Sequence, residues 1–211
     1  MAYLQIPKAA CSSIQAALLS AEDPEAFLNL EKSSASFVTA LHHTPGLFKT
    51  TSKASGYLRF TFVRHPFDRL VSFYRNQVSP QKKLDARAKS MLQEELAASA
   101  FWLGMGFGEF VQTVLTNELA RNNRHVRPQS ELIISDGGLA VDYLGRVEEI
   151  EEGWHQLGRW TGGNLPPLYR FNVTGGASWN HCGELTPELV EHLALHYQDD
   201  LRLLGYSAAA L

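Results

Sequence analysis

The chain has 211 residues, 45% hydrophobic and 19% charged, the make-up of an ordinary globular protein and not of a disordered or fibrous one. A chain of this length buries roughly 70% of its unfolded surface without help from disulfides or a structural metal, and Cys11 and Cys182 form no CxxC pair, so one domain over 1–211 in a reduced, intracellular setting is expected. Net charge is -3, but Lys49 to Lys89 holds ten Lys or Arg against two acids and Glu131 to Leu211 holds twelve acids against four arginines, so an anion is expected near the first block and nucleic acid is not expected as a partner.

No basic leader opens the chain, and no run reaches the roughly 18 apolar residues of a membrane helix, so no membrane segment is expected. Tyr3 to Ile6 reads as a short strand stopped by Pro7, and Ser12 and Ser13 offer N-caps for a helix through about Leu19. Phe37 to Leu41 reads as another strand. Leu58 to Val63 is a β-branched and aromatic strand, followed by Arg64-His65-Pro66 and a helix to about Gln77, where Pro66 suits the first turn. Helices are predicted over about 84–98 and 107–120, a strand over Val141 to Arg146, and helices over 149–160 and 187–204. Strands alternating with helices predict an α/β fold, P-loop-like and single-domain. Its mostly parallel central sheet is flanked by helices on both faces, and ligands lie outside the carboxyl ends of the strands.

The first motif is IPKAACSSI at 6–14. A strand that empties through a short loop into a helix amino terminus converges unpaired N–H groups with the positive end of the helix dipole, which suits phosphate or sulfate. Lys8 adds a cation, and small Ala9, Ala10, Cys11, Ser12 and Ser13 let an anion approach the backbone. A capped helix beside a solvated lysine would give the same pattern. GxxxxGK[ST] is not present, since residues 1–20 contain no glycine, and the arginine of a Cys-x5-Arg loop is replaced by Ala17. Cys11 is therefore read as a small packed residue.

The second motif is FTFVRHPFDRLVSFYRN at 60–76. Ser72 follows Arg64 by just over two helical turns, so a guanidinium and a hydroxyl can share one anion; a local carboxylate pair for Arg64 and a packed Ser72 is the competing reading. Arg69 and Arg75 are read as solvated helix-face charges. Arg146 either approaches the ligand or pairs with Glu148 or Glu149, and Trp154 and Trp160 read as packing residues. His192 and His196 stand at i, i+4 spacing without the glutamate of HExxH and are read as a solvated face, so no metal is expected.

Together the two motifs resemble the PAPS-dependent sulfotransferases, in particular the carbohydrate sulfotransferases of the membrane-associated type and their bacterial relatives. HVRPQ at 125–129, YLGRVEEIEEGWHQL at 143–157 and HYQDDLRLLGY at 196–206 follow in that family's order. The resemblance implies that Lys8, Ala9, Ala10, Cys11, Ser12 and Ser13 grip the 5'-phosphosulfate of PAPS and that Arg64 and Ser72 grip its 3'-phosphate. Position 65 is His where Asp is common in that family. The implied reaction moves a sulfuryl group to an acceptor hydroxyl, on a glycan or other small molecule, and PAP leaves.

Lys8 would stabilise the leaving side, and a histidine would take the hydroxyl proton. In relatives that act on uronic acid hydroxyls the catalytic histidine precedes the RxP arginine by about the interval from His43 to Arg64. That favours His43, with His42 as runner-up and His125 as a third possibility. His125, Arg127 and Gln129 would meet the acceptor, and the segment from Thr174 to Glu184 would close over the cofactor. A nucleotide kinase with a degenerate P-loop and a PAP- or PAPS-binding protein without turnover are the alternatives. The absence of a membrane stem before the first strand predicts a cytoplasmic bacterial enzyme, with the Golgi lumen only for a chain that has lost an amino-terminal anchor. Oligomeric state is open.

Overall fold

The computed structural model describes residues 1–25, 27–28, 56–79, 84–135, 137–163, 165–170, 179 and 185–208. His42, His43, the strand expected at 37–41, His181 and Cys182 lie outside them. In chain order the elements are β1 (Ala2–Tyr3), α1 (Cys11–Glu22), β2 (Arg59–Val63) and α2 (Pro66–Phe73), which runs into a π turn (Tyr74–Val78). Next come α3 (Ala86–Ala97), α4 (Phe107–Thr116), α5 (Glu118–Arg121), α6 (Ser130–Ile133), β3 (Ile134–Ser135), β4 (Gly138–Leu139) and β5 (Tyr143–Arg146). A 3-10 turn (Val147–Glu149), α7 (Ile150–Trp160), α8 (Pro187–His196) and α9 (Gln198–Leu204) complete the described chain.

The main sheet has the order β1-β2-β5 and is parallel throughout, with Ala2 opposite Arg59, Phe60 opposite Tyr143 and Val63 opposite Arg146. This is the expected α/β, P-loop-like fold, a mostly parallel sheet flanked by helices. β3 and β4 form a small antiparallel hairpin that the sequence patterns did not suggest. The described residues divide into two compact units, 1–64 with 133–173 and 65–132 with 174–211, and each builds its own core.

In the first unit, β2 alternates. Phe60 and Phe62 share a core with Tyr3, Ile14, Ala17, Tyr143, Trp154 and Leu157, while Thr61 and Val63 point the other way and are equally buried, as befits a parallel strand covered on both faces. Gly145 is required by close approach, since a Cβ there would lie 2.4 Å from Cε1 of Phe62. At the amino ends of β2 and β5, Arg59 forks onto Asp142, with Nη2 to Oδ1 at 2.6 Å and Nε to Oδ2 at 3.1 Å. That hydrogen-bonded guanidinium holds the Asp142 carboxyl down to about 2.

In the second unit, the stripe Pro66, Arg69, Leu70, Phe73 on α2 faces inward. Phe67, Leu70 and Phe73 pack with Phe101, Phe110, Val114, Leu193 and Tyr197. Two helices expected to be continuous are interrupted. Asn117 adopts extended backbone and accepts at Oδ1 from the N–H groups of Leu119 and Ala120, capping a new helix. At Tyr197 the backbone (φ -102°, ψ 21°) leaves the helical range and separates α8 from α9. The helix after β2 widens into the π turn, closed by Ser79 N–H donating to the Tyr74 carbonyl at 2.8 Å.

Candidate active site

The loop between β1 and α1 is shaped by its backbone. Lys8 (φ 66°) and Ala10 (φ 57°) both occupy the left-handed region, although neither is glycine and each such residue costs about 1–2 kcal/mol. Ala9 between them, Pro7 before and helical Cys11 after have negative φ, so the sign alternates along five residues. Such alternation is the backbone pattern of a nest, a concavity lined by N–H groups; here the Ala9 N–H donates within the turn to the Ile6 carbonyl at 3.3 Å. The nest opens into the amino terminus of α1, whose first turn carries no acid, so the helix dipole adds to it. Contrary to expectation, neither Ser12 nor Ser13 is the cap: the cap residue is Ala10, with no side-chain bond. Ser12 and Ser13 are buried within the first turn, and Cys11 is half-buried with a free thiol.

The strands set where this loop sits. Leu4 N–H donates to the Phe60 carbonyl at 2.9 Å and the Thr61 hydroxyl donates to the Leu4 carbonyl at 2.7 Å, which holds the exit of β1 beside β2. Because the three strands are parallel, the chain leaves each at the same edge. The Lys8 loop follows β1, Arg64 follows β2, and Arg146, level with Val63, ends β5. Neighbouring strands are about 4.8 Å apart, so three cationic residues issue from one short sheet edge.

Ser72 lies on α2, in the second unit, and is buried. His65 caps that helix. Its Nδ1 accepts from Phe67 N–H at 3.2 Å and its Nε2 donates to the Ser207 carbonyl at 2.8 Å, so the ring is the neutral Nε2–H tautomer. A cap is what the Asp common at this position in the resembled family would also provide, and His65 meets that need while adding a tie to Ser207. The His65 ring stacks on Trp179 at 5.8 Å. Trp179 is buried, and its backbone N–H donates to Asp68 Oδ1 at 2.7 Å.

The third element is the turn at 123–130. Asn123 Nδ2 donates to Ser99 Oγ at 2.8 Å, and Asn123 Oδ1 accepts from His125 N–H at 2.8 Å and His125 Nδ1 at 3.0 Å. That bond places a ring proton on Nδ1 and orients the ring. The His125 ring stacks on Phe73 at 5.0 Å. Arg127 is half-exposed and pairs with Glu131 at 2.6 Å. Gln129 is fully buried, and its Nε2 donates to Asp200 Oδ2 at 3.3 Å, so its side chain faces inward.

The structure therefore brings Lys8 and Arg64 to one edge of one sheet and groups His125, Arg127 and Gln129 on one turn. Trp154 is core as expected, whereas Trp160 is 57% exposed with its edge on Tyr143. Arg69 departs furthest from expectation. Far from a solvated charge, it is fully buried and donates to the carbonyls of Arg127 (2.8 Å) and Arg124 (2.7 Å). Desolvation lowers its pKa, and Tyr197 and Asp200 oppose that shift. The signal was its place at i+3 from Pro66 and i+4 before Phe73, inside the apolar stripe.

A family model described as Sulfotransferase family matches residues 1–207. Among curated proteins, the chain is similar to carbohydrate sulfotransferase 12 of Mus musculus, 28% identical over 173 residues covering 73% of this chain and 41% of the relative. It is also similar to carbohydrate sulfotransferase 14 of Homo sapiens, 26% identical over 179 residues covering 80% of this chain and 46% of the relative. The chain thus spans less than half the length of these relatives. No solved structure matches. The expectation of a cytoplasmic bacterial enzyme is overturned: the curated relatives are carbohydrate sulfotransferases of mouse and human. Among the described residues no helix is long and apolar enough to cross a membrane.

Proposed function

The chain belongs to the sulfotransferase family, and from that premise we propose that it moves a sulfuryl group from PAPS to a hydroxyl of a carbohydrate. One domain over 1–211 carries the reaction. The observation that supports this most is the alternating-φ loop carrying Lys8, set between a parallel strand and an acid-free helix start, at the sheet edge where Arg64 also emerges. Bound PAPS supplies the sulfuryl group, and PAP is the product. The loop N–H groups of Ala10 to Ser13 and the Lys8 ammonium hold the phosphosulfate end and stabilise charge on the leaving oxygen, with small Ala9 shaping the turn beneath them. Arg64 and Ser72 hold the 3'-phosphate, and His65 keeps the helix of Ser72 capped.

On the acceptor side, His125 and Arg127 meet the sugar, with Gln129 serving the same surface from behind through Asp200. A histidine takes the hydroxyl proton. His43 fills that role by its interval from Arg64, with His42 beside it; the ring orientation that Asn123 imposes on His125 favours His125 as a second reading. Transfer of labelled sulfate from PAPS to a panel of glycans tests the proposal. Wild type transfers, Lys8→Ala falls at least 100-fold, and whichever of His43→Ala and His125→Ala removes the base lowers kcat far more than PAP affinity. Transfer from ATP with magnesium but not from PAPS would replace this reading with the kinase, and PAP binding without transfer would replace it with a binding protein.

A further inference from the structure

Three buried polar side chains of the second unit converge on one stretch of backbone. Arg69 on α2 takes the carbonyls of Arg124 and Arg127. Tyr197, at the junction of α8 and α9, donates its hydroxyl to the Val126 carbonyl at 2.6 Å. Asp200 on α9 is fully buried and accepts from the N–H groups of Gln129 (2.8 Å) and Ser130 (2.7 Å). Five backbone groups between residues 124 and 130 are thus held by three side chains that come from 55 to 71 positions away in the chain. Burial also pushes the Tyr197 hydroxyl well up, which keeps it a donor.

Such a network is a poor way to gain stability, because apolar side chains of similar volume do as well or better than buried ions. What it does supply is a defined shape, since every bond is directional and goes to the main chain. The turn so shaped carries His125 and Arg127 and presents both at the surface, half-buried.

We infer that Arg69, Tyr197 and Asp200 are positioning residues that set the backbone of residues 124–130 and thereby hold His125 and Arg127 in place for the acceptor. This rests on the acceptor-side reading of that turn given above. None of the three meets PAPS or the acceptor itself, so they act on the acceptor constant and leave the cofactor alone.

The experiment combines hydrogen exchange, calorimetry with PAP, and steady-state kinetics with PAPS and the first glycan of the panel that wild type sulfates. Tyr197→Phe removes a single hydroxyl and keeps the ring in the core; Arg69→Lys and Asp200→Asn are the stronger variants. Each is expected to speed amide exchange at 124–130 about 10-fold or more while the amides of α4 stay protected, to keep PAP affinity within about twofold, and to raise acceptor KM about 10-fold with kcat changed less than threefold. Uniformly faster exchange, a parallel loss of PAP affinity, or an unchanged acceptor KM would overturn the inference and leave a purely structural network. Failure of wild type to sulfate any glycan would strike the proposed function alone; exchange confined to 124–130 would then support the brace, and uniform exchange would still overturn it.

Discussion

Two loops in this protein keep their shape by opposite means. The loop at 7–10 depends on its own backbone: two non-glycine residues held at positive φ between small neighbours, and a helix entered through Ala10 with no side-chain cap. The turn at 123–130 depends on others, with a buried guanidinium, phenol and carboxylate gripping its main chain from distant helices. The difference fits the ligands proposed for them. A nest of N–H groups recognises a phosphate or sulfate group common to all turnovers and works best when its backbone is already turned inward. A surface that must present two side chains to a sugar needs its backbone fixed so that those side chains are free to be specific.

The contrast can be broken at either loop. The largest effect on stability is expected at Asp200: Asp200→Ala leaves two backbone N–H groups and a buried arginine without their anion, a loss of about 3–5 kcal/mol measurable by denaturant unfolding. A loss below about 1 kcal/mol would mean the brace carries little. A smaller effect is expected at Ala10. There, Ala10→Val puts a β-branched side chain at positive φ and costs about 1–2 kcal/mol, whereas Ala10→Gly relieves the strain and is neutral or stabilising by up to about 1 kcal/mol. Equal effects of the two substitutions would show that the loop is not strained in solution.

The smallest effect concerns His196, whose Nε2 is buried without a partner. Burial first, and then Arg121, lowers its pKa against the opposing pull of Glu131 and Asp200. The unfolded chain takes up a proton near pH 6.5 while the folded one resists, so this residue's contribution is intact above that pH and stability falls as pH drops below it. His196→Leu should flatten the acid limb of the stability profile by less than about 1 kcal/mol. An unchanged limb would mean that another group sets it.

What the sequence reveals follows the same division. The loop is legible because its determinants are local: a strand, a proline, a lysine and five small residues in one run, with the parallel sheet implied by repeated strand-loop-helix segments. Its positive φ at Lys8 and Ala10 is not, because nothing about lysine or alanine announces that conformation as glycine would. The turn is the reverse case. HVRPQ stands out as a segment, but its support comes from Arg69 and Asp200, charged residues that look solvated until their helical spacing is set against Leu70 and Phe73 or against Leu193, Tyr197 and Leu204. The helix breaks at Asn117 and Tyr197 escape a periodicity reading because the apolar stripe continues through both. His65 was legible only as a departure; its part as cap and tether depends on Ser207 and Trp179, far along the chain.

The most direct measurement is calorimetry of PAP against the wild-type protein and the Lys8→Ala and Arg64→Ala variants. A single site per chain in wild type, weakened at least tenfold by each substitution on its own, is the result predicted for a nucleotide held at both ends from one edge of the sheet. No heat of binding in wild type, or binding indifferent to both substitutions, would contradict the account.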